Sequence, residues 1–393
     1  MLKNRHISFL TWFLSGMMLL MTVACSSSDE EGQESGADKK PVMLAIYVYA
    51  PEQAAAAQKK AAQTRGDVGE VDANPAAEGE IKSLKIWIYE SVSGDSVRYF
   101  ETKDVAALNQ GQGTTYQIPV SDDFANNKPK VDVYVMANVT HDNCGVETDK
   151  DTERDELMTE AKIVKSKFGL SPLTTEVPTD GLPMAGKLTM QPVVGDAPAL
   201  RVGTLSAVST VQLTRAVSKL RFVFAKTTGQ PTVSITSIKI NENMIPDVEY
   251  LFDKPESAPT ITYNTEAGEL LSSPIDDIKQ TADPTDYIYF NQDAQEYENL
   301  INTAASKETP EVTVRGPIYL RESDKQLAGT ITYTIAGGEP QSVGFQMQQA
   351  GDFSRNHTWI VYAYYAGTGK LQVESLYIKD WSMKEINHDF YNW

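Results

Sequence analysis

The sequence predicts a mainly β chain built as two β-sandwich-like domains, with one short helix in the first. Three observations lead there. Apolar and polar residues alternate with a period of two in many short runs. Turn residues separate several of these runs, as at Gly337-Gly338 and Gly367-Thr368-Gly369. Only one stretch carries clear helical spacing. Short strands in series with little helix favour packed sheets. The chain has 393 residues, enough for two domains of ordinary size, and 41% of them are hydrophobic, enough to build cores.

In chain order, residues 41–50 (Pro-Val-Met-Leu-Ala-Ile-Tyr-Val-Tyr-Ala) form an apolar run bounded by Pro41 and Pro51, which reads as a strand buried on both faces. Residues 51–80 are polar and small, a long exposed connection; connections of that length are functional or disordered. Leu84, Ile86 and Ile88 alternate with Lys85, Trp87 and Tyr89. Tyr116, Ile118 and Val120 suggest a further strand. Val131, Val133 and Val135 open a clear one that ends near Asn138. The helix is expected between Thr152 and Phe168. Leu157, Ala161, Val164 and Phe168 share one face, Thr152 is the cap and Gly169 the stop. A domain boundary is placed at 195/196, giving domains 41–195 and 196–393. Strands are expected at 213–225, 233–240, 260–263, 287–290, 312–320, 330–335, 358–365 and 371–378. No internal repeat is evident.

The first 24 residues read as an export signal. Lys3 and Arg5 precede an apolar run from Ile7 to Met21, too short for a comfortable membrane span, and Thr22-Val23-Ala24-Cys25 resembles a bacterial lipobox. Thr22 stands where leucine is usual. Cys25 is then the lipidated residue, and residues 25–40, rich in Ser, Gly and acids, are a solvated tether. The only other cysteine is Cys144, so a lipidated Cys25 excludes an intrachain disulfide and the fold rests on its cores. The formal charge of −18 argues against nucleic acid and anionic lipid as partners.

No nucleophile elbow, P-loop or dinucleotide fingerprint is present, so the chain is not read as an enzyme. His141 and Cys144 lie in one loop, but zinc needs about four ligands and no second pair is suitably spaced; no metal or cofactor is expected. Trp87, Tyr89, Tyr362, Tyr364 and Tyr365 sit at strand spacing, which suits core packing better than a sugar platform. Arg65-Gly66-Asp67 spells an integrin-binding tripeptide, a match short enough to arise by chance.

Several segments together resemble the fimbrillin family, the subunits of type V pili in Bacteroides-type bacteria. They are Leu182-Pro183-Met184-Ala185-Gly186, Leu213-Thr214-Arg215-Ala216-Val217-Ser218-Lys219-Leu220, Arg355-Asn356-His357-Thr358-Trp359, and Trp381 with the terminal Asn392-Trp393. The acidic run Asp29-Glu30-Glu31 is similar to the export tag of surface lipoproteins in the same bacteria. The resemblance implies transthyretin-like domains, outer-membrane and fimbrial localisation, and assembly with other fimbrial subunits in support of adhesion. It implies that a protease cuts after an arginine in the long connection, matched here by Arg65 before Gly66. The first strand, 41–50, would then leave, and a strand from a neighbouring subunit would fill its groove. The donor is expected in residues 382–393, or in 371–378. A cleavage arginine argues against an anchor subunit, and the chain's length leans toward a stalk. The competing readings are a tip adhesin of the same fimbria and a monomeric surface lipoprotein that binds glycan. Cys25→Ala is expected to yield a precursor that takes up no palmitate; labelling equal to that of the parent chain refutes the lipobox assignment.

Overall fold

A computed structural model describes residues 40–50, 75–110, 113–139, 158–168, 176–204, 206–253, 261–264, 268–289, 294–347, 350–351 and 353–380. The first half contains β1 (Val42–Tyr49), α1 (Pro75–Glu78), β2 (Leu84–Glu90), β3 (Ser96–Thr102), β4 (Thr114–Val120), α2 (Asp122–Asn127), β5 (Val131–Ala137), α3 (Glu160–Ile163), β6 (Lys167–Phe168), β7 (Met184–Gln191), β8 (Val193–Asp196), β9 (Ala199–Val202), β10 (Thr210–Gln212) and β11 (Thr214–Arg215). The second contains β12 (Val217–Thr227), β13 (Val233–Ile240), β14 (Glu249–Tyr250), β15 (Gly268–Glu269), β16 (Gln280–Thr281), α4 (Ala294–Ala305), β17 (Thr313–Arg321), β18 (Ala328–Ile335), β19 (Gln341–Gln346), β20 (His357–Tyr365) and β21 (Gln372–Asp380). The chain is mainly β, as the alternation predicts.

Two sheets enclose the first core. One carries β1 between β4 on one side and β9 and β10 on the other, with β8 outside β9; the second runs β11-β7-β5-β2-β3. Leu44, Ile46 and Val48 of β1 pack against Ile86 and Ile88 of β2, Val133 and Val135 of β5, and Val211. Pairing of β9 with Met43–Ala45, and of β10 with Tyr47–Tyr49, carries these sheets past the 195/196 division to Arg215. The strands on either side of that division belong together because they are the walls of β1.

The second core lies between a sheet in which β12 is flanked by β17 and β20, with β21 beyond β20, and the sheet β15-β13-β18-β19. The outer face of the β12 sheet is covered by α4, whose Tyr297, Ile301 and Ala304 rest on Val223, Tyr362 and Tyr364. With apolar partners on both faces, β12 is buried along nearly its whole length.

Several expectations are corrected. β1 is not buried on both faces: its even-numbered residues are buried, and Met43, Ala45, Tyr47 and Tyr49 are half-exposed. The helix expected over 152–168 is, among the described residues, only Glu160–Ile163; Thr152 and Leu157 lie outside them. Phe168 leaves the helical face to pair with Glu249 in a two-strand ribbon. The one-helix expectation also misses α1, α2, where Ser121 caps Phe124 N–H through its side chain, and α4. Residues 284–287 form a 3₁₀ turn rather than the start of a strand, and Tyr263 makes only an isolated bridge to Pro246.

Gly186 of the Leu-Pro-Met-Ala-Gly element has a steric reason. A Cβ there would lie 2.3 Å from the Gln212 carbonyl oxygen and 2.9 Å from Val211, where β7 and β10 cross between sheets. Gly186→Val is therefore expected to lower stability by about 1–3 kcal/mol, read from urea unfolding, because the nearest atoms in the way, the Gln212 carbonyl, are main chain and cannot rotate aside. Unchanged stability would show that the sheets are not held this close.

Candidate functional site

The candidate site is the slot that β1 occupies, together with the chain segment that follows the long connection. β1 pairs antiparallel with β4 over seven residues, Val42 to Val48, and parallel with β9 and β10 on its other side. Met43 N–H donates to the Pro198 carbonyl at 2.8 Å, and Leu213 N–H donates to the Tyr49 carbonyl at 2.9 Å, so both ends of β1 are tied to the same wall. Val42, Leu44, Ile46, Val48 and Ala50 are each at most 4% exposed. Five such side chains contribute on the order of 10 kcal/mol of gross apolar burial, before entropy is subtracted. On the other face the Tyr47 ring lies over Gly113, where a Cβ would fall 1.9 Å from its hydroxyl oxygen.

Residues 75–83 are fastened by a set of buried polar contacts. The Glu78 carboxylate accepts from Lys219 Nζ at 3.1 Å and from the Tyr319 hydroxyl at 2.8 Å. Its carbonyl accepts from Arg215 Nε at 3.0 Å. Lys219 and Glu78 side chains are each 4% exposed, so this is a buried ion pair. Burial pulls the Arg215 guanidinium down to about 10, against the opposing pull of the Glu78 carboxylate and of Tyr319. Asn109 brackets Ile81, accepting from its N–H and donating to its carbonyl, both at 2.6 Å. Asn138 accepts from Lys82 N–H at 2.8 Å and donates to the carbonyls of Glu80 and Leu182 at 2.8 and 2.9 Å. It does so from a left-handed backbone (φ 60°), which asparagine tolerates.

Two family-like motifs find physical roles here. Arg215 and Lys219 grip Glu78. Arg355 reaches Glu322 at 2.9 Å and the carbonyls of Leu251 and Tyr250 at 2.9 and 2.8 Å, and Asn356 N–H donates to the Val217 carbonyl at 2.8 Å. Cys25, Arg65, Gly66, His141, Cys144, Trp381, Asn392 and Trp393 lie outside the described residues. Glu78, Asn109 and Asn138 were not singled out by the sequence. Trp87, Tyr89, Tyr362, Tyr364 and Tyr365 are all buried, as core packing requires. Among the described residues, no cluster of three or more His, Cys, Asp or Glu is arranged to hold a metal, and no helix is long and apolar enough to cross a membrane.

Residues 53–215 match the family model of the major fimbrial subunit protein (FimA), which bears out the fimbrillin resemblance over that stretch. The matched family is one of structural fimbrial subunits. Among solved structures, the chain is similar to the tip fimbrial protein Mfa3 from Porphyromonas gingivalis with C-terminal truncation, at 14% identity, covering 87% of this chain and 100% of that one, with a TM-score of 0.47. It is also similar to a fimbrial assembly protein from Parabacteroides distasonis, at 12% identity, covering 86% and 97%, with a TM-score of 0.44. No curated protein matches.

Removing the Glu78 carboxylate leaves the Lys219 ammonium buried without it. Glu78→Ala is expected to cost about 3–5 kcal/mol, and Glu78→Ala with Lys219→Met is expected to recover most of that loss, in chemical unfolding. A double variant no more stable than the single one would deny that the buried charge is the cause.

Proposed function

We propose that this protein is a structural subunit of a cell-surface fimbria that supports adhesion. It is exported as a lipoprotein acylated at Cys25, which holds it in the outer membrane; a protease cuts it after Arg65, and it polymerises by strand exchange with other fimbrial subunits. The single observation that carries this reading is β1. It is central in its sheet, yet it is joined to the rest of its domain through a connection of about thirty residues that contains Arg65. A cut there leaves β1 attached by hydrogen bonds and apolar contact alone. Its departure bares the inner edge of β4, the edges of β9 and β10, and the apolar floor of the first core.

A strand from a neighbouring subunit restores both the ladder and the burial, which is strand addition. The contact is head-to-tail, so it propagates as a fibre rather than closing. The donor is placed in residues 382–393. The alternative donor, 371–378, overlaps β21, which would have to leave its ladder with β20. The contacts of Glu78, Asn109 and Asn138 support the reading from the other side: they fasten residues 78–83 independently of β1, so the domain keeps its hold on the chain once β1 is gone. The glycan-binding alternative needs exposed coplanar aromatic rings, and the candidates for that role are core residues. A tip position within the fimbria differs from a stalk position in whether the chain also donates a strand.

The expected outcome is that the assembled protein begins at Gly66, as read by N-terminal sequencing, and that Arg65→Ala is exported but stays monomeric. Fibres whose subunits still begin at Cys25 would overturn the strand-release reading.

A further inference from the structure

Among the described strands of six or more residues at a sheet edge, β3 carries Arg98 and Glu101, β4 carries Pro119, β17 carries Arg315 and Pro317, and β21 carries Glu374. Charges and prolines of this kind keep edges from pairing with other chains. β19, Gln-Ser-Val-Gly-Phe-Gln, has neither.

Its pairing with β18 fixes what it offers. Met347 N–H donates to the Leu327 carbonyl at 2.8 Å, and Gln346 stands opposite Ala328. Because an antiparallel ladder alternates, the odd-numbered residues of β19 bond to β18, and Ser342, Gly344 and Gln346 turn their N–H and C=O groups outward. Their side chains are exposed, whereas Phe345 points into the core.

Gly344 sits at the centre of this edge with no internal reason to be glycine. Its φ is not in the left-handed region, and a Cβ there would meet only the Gly329 carbonyl oxygen at 3.7 Å. A glycine inside a strand costs stability, and one without a steric need inside its own fold marks a close approach by another backbone.

We propose that β19 pairs with β19 of a second copy, antiparallel about a two-fold axis at Gly344, joining the two outer sheets into one. Charge decides the partner. The chain carries a net −18, so copies repel wherever carboxylates face each other. Residues 327–351, which hold the β18–β19 hairpin, contain a single charged residue, Glu339, in the turn. The register is self-complementary: Gly344 meets Gly344, Ser342 meets Gln346 on the outer face, and Val343 meets Phe345 on the core side. This places two copies side by side, whereas the β1 groove joins them end to end.

The test is sedimentation velocity on the full chain, uncut and reduced, over a range of concentrations. Keeping the chain uncut separates the result from strand exchange, so either reading can fail alone. The parent chain is expected to form dimers. Gly344→Pro, which removes an outward N–H that takes no part in the ladder with β18, and Ser342→Lys are each expected to weaken dimerisation at least tenfold while the unfolding midpoint stays within a few degrees. Deletion of residues 381–393 is expected to leave dimerisation unchanged. A parent chain that stays monomeric at all concentrations, variants that dimerise like the parent, or a deletion that strengthens association because the chain's own terminus covers β19, would each overturn the proposal.

Discussion

Burial of one face of β1 is the interaction on which the first half of the molecule depends. Leu44, Ile46 and Val48 fill the middle of a core whose other walls come from β2, β5, β9 and β10. The residues that pair with β1 come from Thr114–Val120 on one side and from Ala199–Val202 and Thr210–Gln212 on the other, so β1 joins two distant parts of the chain into one sheet. A central strand near one terminus, joined by a long connection, makes the core both complete and divisible. It contributes its full apolar face to that core.

What keeps such a domain from coming apart lies just downstream. Glu78 is held by Arg215 of β11, Lys219 of β12 and Tyr319 of β17. A buried ion pair is an uncertain source of net stability, because desolvation opposes the attraction, but breaking one is costly. The consequence is positional specificity. The chain entering β2 has one acceptable place, set by Glu78, Asn109 and Asn138 together. The two halves are thereby joined by polar contacts of fixed geometry as well as by the apolar cluster around Trp87, Tyr134, Phe252 and Tyr319.

The second half uses the same economy of charges. Lys219, Arg221 and Lys226 all lie on β12, a strand buried on both faces, and each has an acidic partner: Glu78, Glu298 and Asp277. The Arg221 pairing also explains why α4 lies where it does, since Asn302, one turn beyond Glu298, takes the other end of the guanidinium at 3.0 Å. The sheet on the far side keeps only neutral residues along β18 and β19. Among the described residues, the three basic side chains of β12 are paired, whereas β18 and β19 carry no charge.

The sequence by itself determined the class of fold and most strands of the second half. Residues 233–240 coincide with β13, 330–335 and 358–365 fall inside β18 and β20, and 371–378 overlaps β21 in all but its first residue. Alternation of apolar and polar residues is a local signal, and there the local signal and the packing agree. The helix α4 was not read from the sequence: Tyr297, Ile301 and Ala304 recur at helical spacing, but the surrounding asparagines and acids obscure it. Only the tertiary structure decided the rest. Asn138 reads as the end of a strand until its side chain is seen bridging Glu80, Lys82 and Leu182. Glu78 reads as one acid among many in a polar connection until Lys219, 141 residues away, closes on it. The membership of β9 and β10 in the sheet of β1 was likewise invisible, because it rests on hydrogen bonds to β1 and on nothing in their own pattern. Periodicity reports which face of an element is apolar. It carries no record of which distant residue will satisfy a buried charge or a bare strand edge, and in this molecule those long-range pairings define the site.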